Sequence, residues 1–426
     1  FGFFPAFSVA WNVAEEKYIK KHLKWMNMFK LRYSYGKVGN DKLGERFPYL
    51  YTLANEYTEK VDGKDVVKYY PGWTWSDYDS EDNKYNGMLY TQLASESVTW
   101  EIATKHDAGV DMSLFNDKFT ASVDYFHEQR DGIYMERKYL PSIVGVRSNP
   151  KANVGSVLSQ GFDGNFAYKQ KIGKVNLTVR GNMTYSKNEI LEKDEENAVY
   201  PYQTEAGYRV NQAKGLIALG LFKDYDDIRN SPKQAWNKVQ PGDIKYKDIP
   251  NALGGTDNAI NEYDKVALGY PSVPEIVYGF GPSIKYKNLD FSLFFQGTGR
   301  VSLMMSGFHP FTNDNNTAKR GILDYVADGC WTTDNPNPNA SYPRLTTAYN
   351  TNNNQNSTFW LRNAAFLKLK NAEIGYNFKN MRIYVSGNNL LTFSKFKLWD
   401  PEMGGGSGMS YPTQRTFNVG FQMTIN

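Results

Sequence analysis

The chain has 426 residues, with 49 Lys and Arg against 45 Asp and Glu, for a net charge of +4. That near-balance, with no Lys/Arg-rich run, excludes a nucleic-acid binder. Mean hydropathy is −0.59, and no apolar run approaches the ~18 residues of a spanning helix. A helical membrane protein is therefore excluded, but a β-barrel is not, because only alternate residues of its strands meet lipid.

In chain order, residues 3–13 read as a strand. The chain opens on Phe1-Gly2-Phe3-Phe4, with no initiator Met and no signal peptide, so it reads as lacking the protein's start. In 14–27, Glu15, Glu16, Lys17, Tyr18, Ile19, Leu23 and Trp25 fit a short amphipathic helix. A strand through Leu31 and Tyr35 leads into a long gap, 39–98, rich in Tyr, Trp and Asp. After the turn at Asn116-Asp117, Phe119, Ala121, Val123 and Tyr125 alternate with Thr120, Ser122 and Asp124. A second long gap, 138–155, precedes Phe162, Gly164, Phe166 and Tyr168.

The clearest strand follows the tight turn at 171–174. Val175, Leu177, Val179, Gly181, Met183 and Tyr185 fall on one face, and only polar residues, from Asn176 to Ser186, on the other. The gap 191–274 holds the longest apolar run, 215–222. Tyr278, Phe280, Ile284 and Tyr286 then form a hairpin with Leu289, Phe291, Leu293 and Phe295 across 287–289. A gap at 304–362 contains an Asn-rich stretch, 350–356. A tight turn at 379–381 and a glycine-rich gap, 394–411, precede a last strand carrying Phe417, Val419, Phe421, Met423 and Ile425.

In total about eleven strand-like segments alternate short gaps with long ones. That parity is the signature of an all-β transmembrane antiparallel barrel, with short turns at the periplasmic rim and long loops outside the cell. Several patterns run past the ~9–11 residues a tilted membrane strand needs. Aromatics make up 15% of the chain, which suits interfacial girdles and also sugar contact. The competing architecture is a soluble sandwich, such as a secreted or surface carbohydrate-binding protein, whose apolar face would be the core. An odd strand number does not close a single-chain bacterial barrel, which agrees with a missing start.

Catalytic motifs are lacking. His22, His106, His127 and His309 form no metal-binding pair, Cys330 is the only cysteine, and no phosphate loop or nucleophile elbow occurs. The acidic pairs Asp226-Asp227 and Asp77/Asp79 sit in acidic loops and read as solvated, so the chain reads as no enzyme. Trp73, Trp75 and Tyr78 cluster in one long gap, and Trp331 and Tyr342 lie in another. Such rings cover the apolar face of a sugar or contact a lid protein; alternatively they anchor the loops to one another.

Several stretches resemble, in order, the SusC/RagA family of TonB-dependent outer-membrane transporters of Bacteroidetes-type bacteria. They include Leu31-Arg32-Tyr33-Ser34-Tyr35-Gly36, Gly39-Asn40-Asp41, Asp107-Ala108-Gly109, the run from Pro241-Gly242-Asp243 to Asp248, the run from Arg362 to Asn371, Asn388-Asn389-Leu390 and Trp399-Asp400-Pro401-Glu402. The resemblance covers nearly the whole chain. It implies the C-terminal half of a 22-stranded barrel of the kind whose wide lumen holds a plug. It also implies the cell outer membrane, a SusD-like lipoprotein lid, TonB-ExbB-ExbD engaged through the missing N-terminal part, and glycan or peptide cargo. Two departures stand out. The chain ends on Asn426 rather than an aromatic. The family's calcium-like loop is replaced by 248–264, where Asp248, Asp257 and Asp264 keep carboxylates for a possible Ca2+ at altered spacing.

Overall fold

The computed structural model describes residues 2–44, 47–61, 64–70, 72, 86–95, 97–138, 149–236, 238–251, 254–307 and 321–425. Eleven strands form one sheet: β1 (Ala6–Asn12), β2 (Met26–Asn40), β3 (Glu101–Leu114), β4 (Phe119–Glu136), β5 (Lys151–Ile172), β6 (Val175–Glu192), β7 (Ile276–Tyr286), β8 (Leu289–Gly299), β9 (Phe366–Phe378), β10 (Met381–Ser394) and β11 (Thr416–Met423). Spatial order equals chain order, and each strand pairs antiparallel with the next, so the sheet is an uninterrupted meander with β1 and β11 at its edges.

The turn side is tight, as the sequence predicts, although the turn at Asn116-Asp117 takes in four residues, Phe115 to Lys118. Three hairpins turn over Gly173, Lys287 and Lys379, with φ of 59°, 52° and 48°. A left-handed first turn residue matches the right-handed twist of paired strands. Glycine adopts that φ freely, whereas the two lysines hold it under some strain. The exception on this side is the β1–β2 connection, where a short helix, α1 (Lys17–His22), forms as its sequence pattern predicts.

The strands on the long-gap side run further than the sequence pattern suggests. β5 has 22 residues and begins at Lys151, not near 155. That is about twice what the apolar band requires, so the sheet stands well clear of it.

Register places the apolar residues in one continuous row. Val9 faces Tyr33, Val110 faces Val123, Phe166 faces Gly181 and Phe280, in turn, faces Phe295. This face is not a core. On interior strands Val123 is 45% exposed, Phe280 39% and Val385 48%. A soluble sandwich would bury these side chains, since burying a Val or Phe contributes ~1.5–3 kcal/mol. Here they are left for another apolar medium, which decides between the two architectures. Trp11, Trp25, Phe115, Tyr286 and Tyr376 mark the turn-side end of the row, as an interfacial aromatic belt would.

The buried core lies in the long loops instead. Leu216, Leu221, Ile244, Tyr246, Ile260, Leu303, Met305, Trp331, Trp360 and Phe396 form one cluster. Small ladders frame it, pairing Ala218–Leu221 with Ile244–Tyr246 and Ser302–Met304 with Leu361–Asn363. The apolar run at 215–222 is thus core sequence of a folded loop cap.

Candidate functional site

Two surfaces are built from functional side chains: the polar face of the sheet and the loop cap. On the polar face, alternate residues bring carboxamides from separate strands to one level. Asn165 stands opposite Asn182, Asn182 opposite Gly279 and Gly279 opposite Gln296. One step along, Phe294 stands opposite Asn371 and Asn371 opposite Asn388. Asn371 donates to Asn388 at 2.6 Å, and Asn388 to the Thr416 hydroxyl at 3.1 Å.

The Phe294 ring lies over Gly279, where an added Cβ would come within 2.7 Å of it. Glycine therefore makes room for the Phe294 ring. Arg180, Asn182, Ser292, Phe294 and Asn371 line a hollow of about 580 Å³. Carboxamides present donor and acceptor together, and an aromatic face covers C–H groups, so this wall suits a neutral polyhydroxylated or amide-rich ligand.

Ion pairs stiffen the same face. Arg32 of β2 lies 2.7 Å from Asp111 of β3 and 2.8 Å from Asp124 of β4. Arg382 of β10 reaches Asp290 of β8 at 2.9 Å and Glu373 of β9 at 2.5 Å. Each arginine fork spans three strands, and a one-residue slip would turn its partners to the other face.

In the loop cap, the Pro241-Gly242-Asp243 stretch is a structural hub. Gly242 has φ 85°, and the Trp331 indole lies where a Cβ would stand, 2.4 Å away. Asp243 has no exposure and accepts from Arg344 at 2.7 Å, Asn353 at 2.9 Å and Asn350 at 3.1 Å. Asn352, also fully buried, accepts from Gln234 at 2.6 Å through its side chain and from the Tyr246 hydroxyl at 2.6 Å through its carbonyl. The Asn-rich stretch, which composition alone reads as a solvated loop, is the polar interior of the cap.

The residues singled out from sequence fare differently. Trp331 and Tyr342 come together, joined by a backbone hydrogen bond of 3.0 Å, and are 7% and 5% exposed. They bind loop to loop, the alternative weighed for them, rather than presenting a face to solvent. Burial pushes the Tyr342 hydroxyl up to about 12. Trp73, Trp75 and Tyr78 lie outside the described residues. Asp226 pairs with Arg229, and Asp227 with Lys245 at 2.7 Å, so neither is a free acid.

Asp264 accepts from the backbone of Ile249 and of Asn261, each at 2.8 Å, and Asp257 from that of Ala259 at 3.0 Å. Both carboxylates brace their own loop. Asp248 differs: its side-chain oxygens are buried without a well-formed hydrogen bond, the Asn258 backbone acting on them as a weak donor. Burial, then the charges of Asp264 and Asp257, raise its pKa. Among the described residues no group of three or more His, Cys, Asp or Glu converges as a metal cage.

Sequence reasoning missed one further element. Lys368 of β9 is fully buried and held by Asp400 and Glu402. The Trp399-Asp400-Pro401-Glu402 stretch is therefore the latch of the last long loop.

No family model matches the chain. Among curated proteins, it is 25% identical to TonB-dependent receptor P39 of Formosa agariphila, over 99% of this chain and 42% of the relative. It is 24% identical to TonB-dependent receptor SusC of Bacteroides thetaiotaomicron, over 99% and 40%. Among solved structures, the RagAB peptide transporter superposes with a TM-score of 0.71 at 20% identity, over 99% of this chain and 43% of that one. An "open-open" state of the RagAB peptide importer gives 0.72 at 21% identity, over 99% and 42%. The chain thus spans about two fifths of the length of the curated relatives it matches. These likenesses run end to end and bear out the resemblance to the SusC/RagA family of TonB-dependent receptors, together with the barrel fold.

Proposed function

We propose that this chain forms the membrane-spanning arc of an energised outer-membrane importer whose cargo is an oligosaccharide. One observation carries the reading: eleven strands expose a continuous apolar face while the buried core is confined to the long loops. Such a sheet is stable only with lipid on that side, and its polar face then lines a lumen. Further strands would join β1 to β11 around it. In this reading a plug gates the lumen, TonB-ExbB-ExbD supplies the force, the long loops are extracellular, and a SusD-like lipoprotein closes over them. The carboxamide wall around Phe294 supports a glycan cargo. Peptide cargo is the second reading, favoured by the likeness to the RagAB peptide importer; amide-rich walls serve peptides as well.

The full-length protein should copurify in detergent with a surface lipoprotein. Cells lacking it should fail to grow on one complex glycan yet grow on the constituent monomers, and deletion of the TonB-engaging segment should reproduce the defect with the barrel assembled. Uptake that survives that deletion rejects energised import. A growth defect on peptides alone selects the second cargo.

A further inference from the structure

The turn-side rim carries a charge pattern that the import reading does not use. Every tight turn displays an exposed lysine: Lys118, Lys174, Lys287 and Lys379. The β1–β2 connection adds Lys17, Lys20, Lys21, His22 and Lys24 around α1. Of the acids beside them, Asp117, next to Lys118, is exposed and accepts from the Ser113 hydroxyl, and the two at α1 are already engaged. Glu15 is taken by Lys20 at 2.6 Å, and Glu16 accepts from the Trp11 indole at 3.0 Å. Lys17, Lys21 and Lys24 are exposed and make no ion pair among the described residues, and neither do the four turn lysines.

The same rim carries exposed aromatics. Trp11 precedes α1, Tyr18 lies on it, and Trp25 stacks on Phe115 with ring centroids 5.4 Å apart. Amphipathic rings settle at the level of lipid headgroups, and lysine stems reach past them to place an ammonium among the phosphates. A row of unpaired cations directly beyond an aromatic belt has its complement in an anionic lipid surface.

We propose that the turn-side rim, with α1 as its most cationic part, binds anionic phospholipid headgroups in the adjacent leaflet. The proposal rests on the barrel reading above; in the orientation proposed there, that leaflet is the periplasmic one. It commits to a lipid occupant, because the cations spread along the whole rim instead of gathering in one concave pocket.

The test uses the full-length protein in nanodiscs made of equal parts dioleoylphosphatidylglycerol and dioleoylphosphatidylethanolamine. Lipids that remain bound after detergent transfer are counted by native mass spectrometry. The wild type should be enriched in phosphatidylglycerol. The triple variant K17Q/K21Q/K24Q should lose that preference by about fivefold for each lysine removed, with phosphatidylethanolamine retention unchanged. Salt at ~1 M, where the screening length is about 3 Å, should erase the wild-type preference. If the triple variant does not fold, shown by heat-modifiable gel mobility, K174Q/K287Q at the hairpin tips gives the same reading.

Equal retention of the two lipids by the wild type, or an unchanged preference in both variants, overturns the proposal. So does a variant that loses uptake with its lipid preference intact, since the rim would then serve a periplasmic protein. A protein that does not enter the bilayer at all defeats the barrel reading instead.

Discussion

The Lys368 ammonium, without solvent exposure, lies 2.5 Å from the Asp400 carboxylate and 2.5 Å from that of Glu402. One buried cation thus latches the last long loop onto β9 across more than thirty residues of sequence. Burial alone would raise the Asp400 and Glu402 pKa values. Hydrogen bonds from Lys368, with Thr413 on Asp400 and Lys370 on Glu402, outweigh it and hold both below the usual carboxylate range. An acid depressed in the fold contributes stability above its unfolded pKa of about 4, and that stability is lost as pH falls through the folded value. The latch should therefore be closed at neutral pH and open only in strong acid. Lys368→Met removes the shared partner of two carboxylates and should cost ~3–5 kcal/mol. Limited proteolysis at the glycine run 404–408 should accelerate at pH 7 in this variant. Unchanged protection would show that the loop is held by other contacts.

The assignment of faces has its own test. Val179 stands opposite Tyr168 and Pro282 on the apolar row, and Thr178 opposite Lys169 and Ser283 on the polar one. A charge at the bilayer midplane costs ~2–4 kcal/mol. Val179→Arg should sharply lower the yield of heat-modifiable folded barrel, and Thr178→Arg should not. Similar yields from the two variants would remove lipid from the apolar face.

The strands were legible in the sequence because their signal is local. The alternation from Val175 to Ser186 needs no knowledge of neighbours, and turn residues such as Gly173 announce the hairpins. The loop cap was not legible, because its order is non-local. Asn350 and Asn353 look solvated until Asp243, itself held by Arg344, meets them in the interior. Trp331 looks like a ligand platform until the bare α-carbon of Gly242, far back in the chain, seats its ring. Lys368 sits in a strand pattern like any other polar residue. Its burial depends on a loop that returns after the next strand. The hint available for all three was the recurrence of Pro241-Gly242-Asp243 and Trp399-Asp400-Pro401-Glu402 as family stretches outside any strand.

Burial also changes how the topology should be probed. Asn353, a natural choice from its loop composition, is only 4% exposed. Asp334, in the same long gap, is exposed, as is Lys174 at a tight turn. With the buried Cys330 replaced by serine, Asp334→Cys should react with an impermeant maleimide on intact cells, and Lys174→Cys only after the outer membrane is breached. The opposite pattern would reverse the orientation proposed for the barrel.

Asp248 decides the metal question, because its two possible states respond oppositely to the same substitution. A carboxyl whose pKa is raised by burial and by Asp264 and Asp257 favours the protonated fold. Stability then falls as pH rises from the unfolded value of about 3.9 through the raised folded one. Without a cation, Asp248→Asn removes that loss and should raise the unfolding temperature at pH 7. With a cation, the two buried oxygens are ligands and the sign reverses. Millimolar Ca2+ should then raise the wild-type unfolding temperature, EGTA should lower it, and Asp248→Asn should abolish both responses. Differential scanning fluorimetry of the purified full-length protein, with and without Ca2+, separates the cases. A wild type indifferent to Ca2+ and stabilised by Asp248→Asn would leave 248–264 as a loop braced by Asp257 and Asp264 alone.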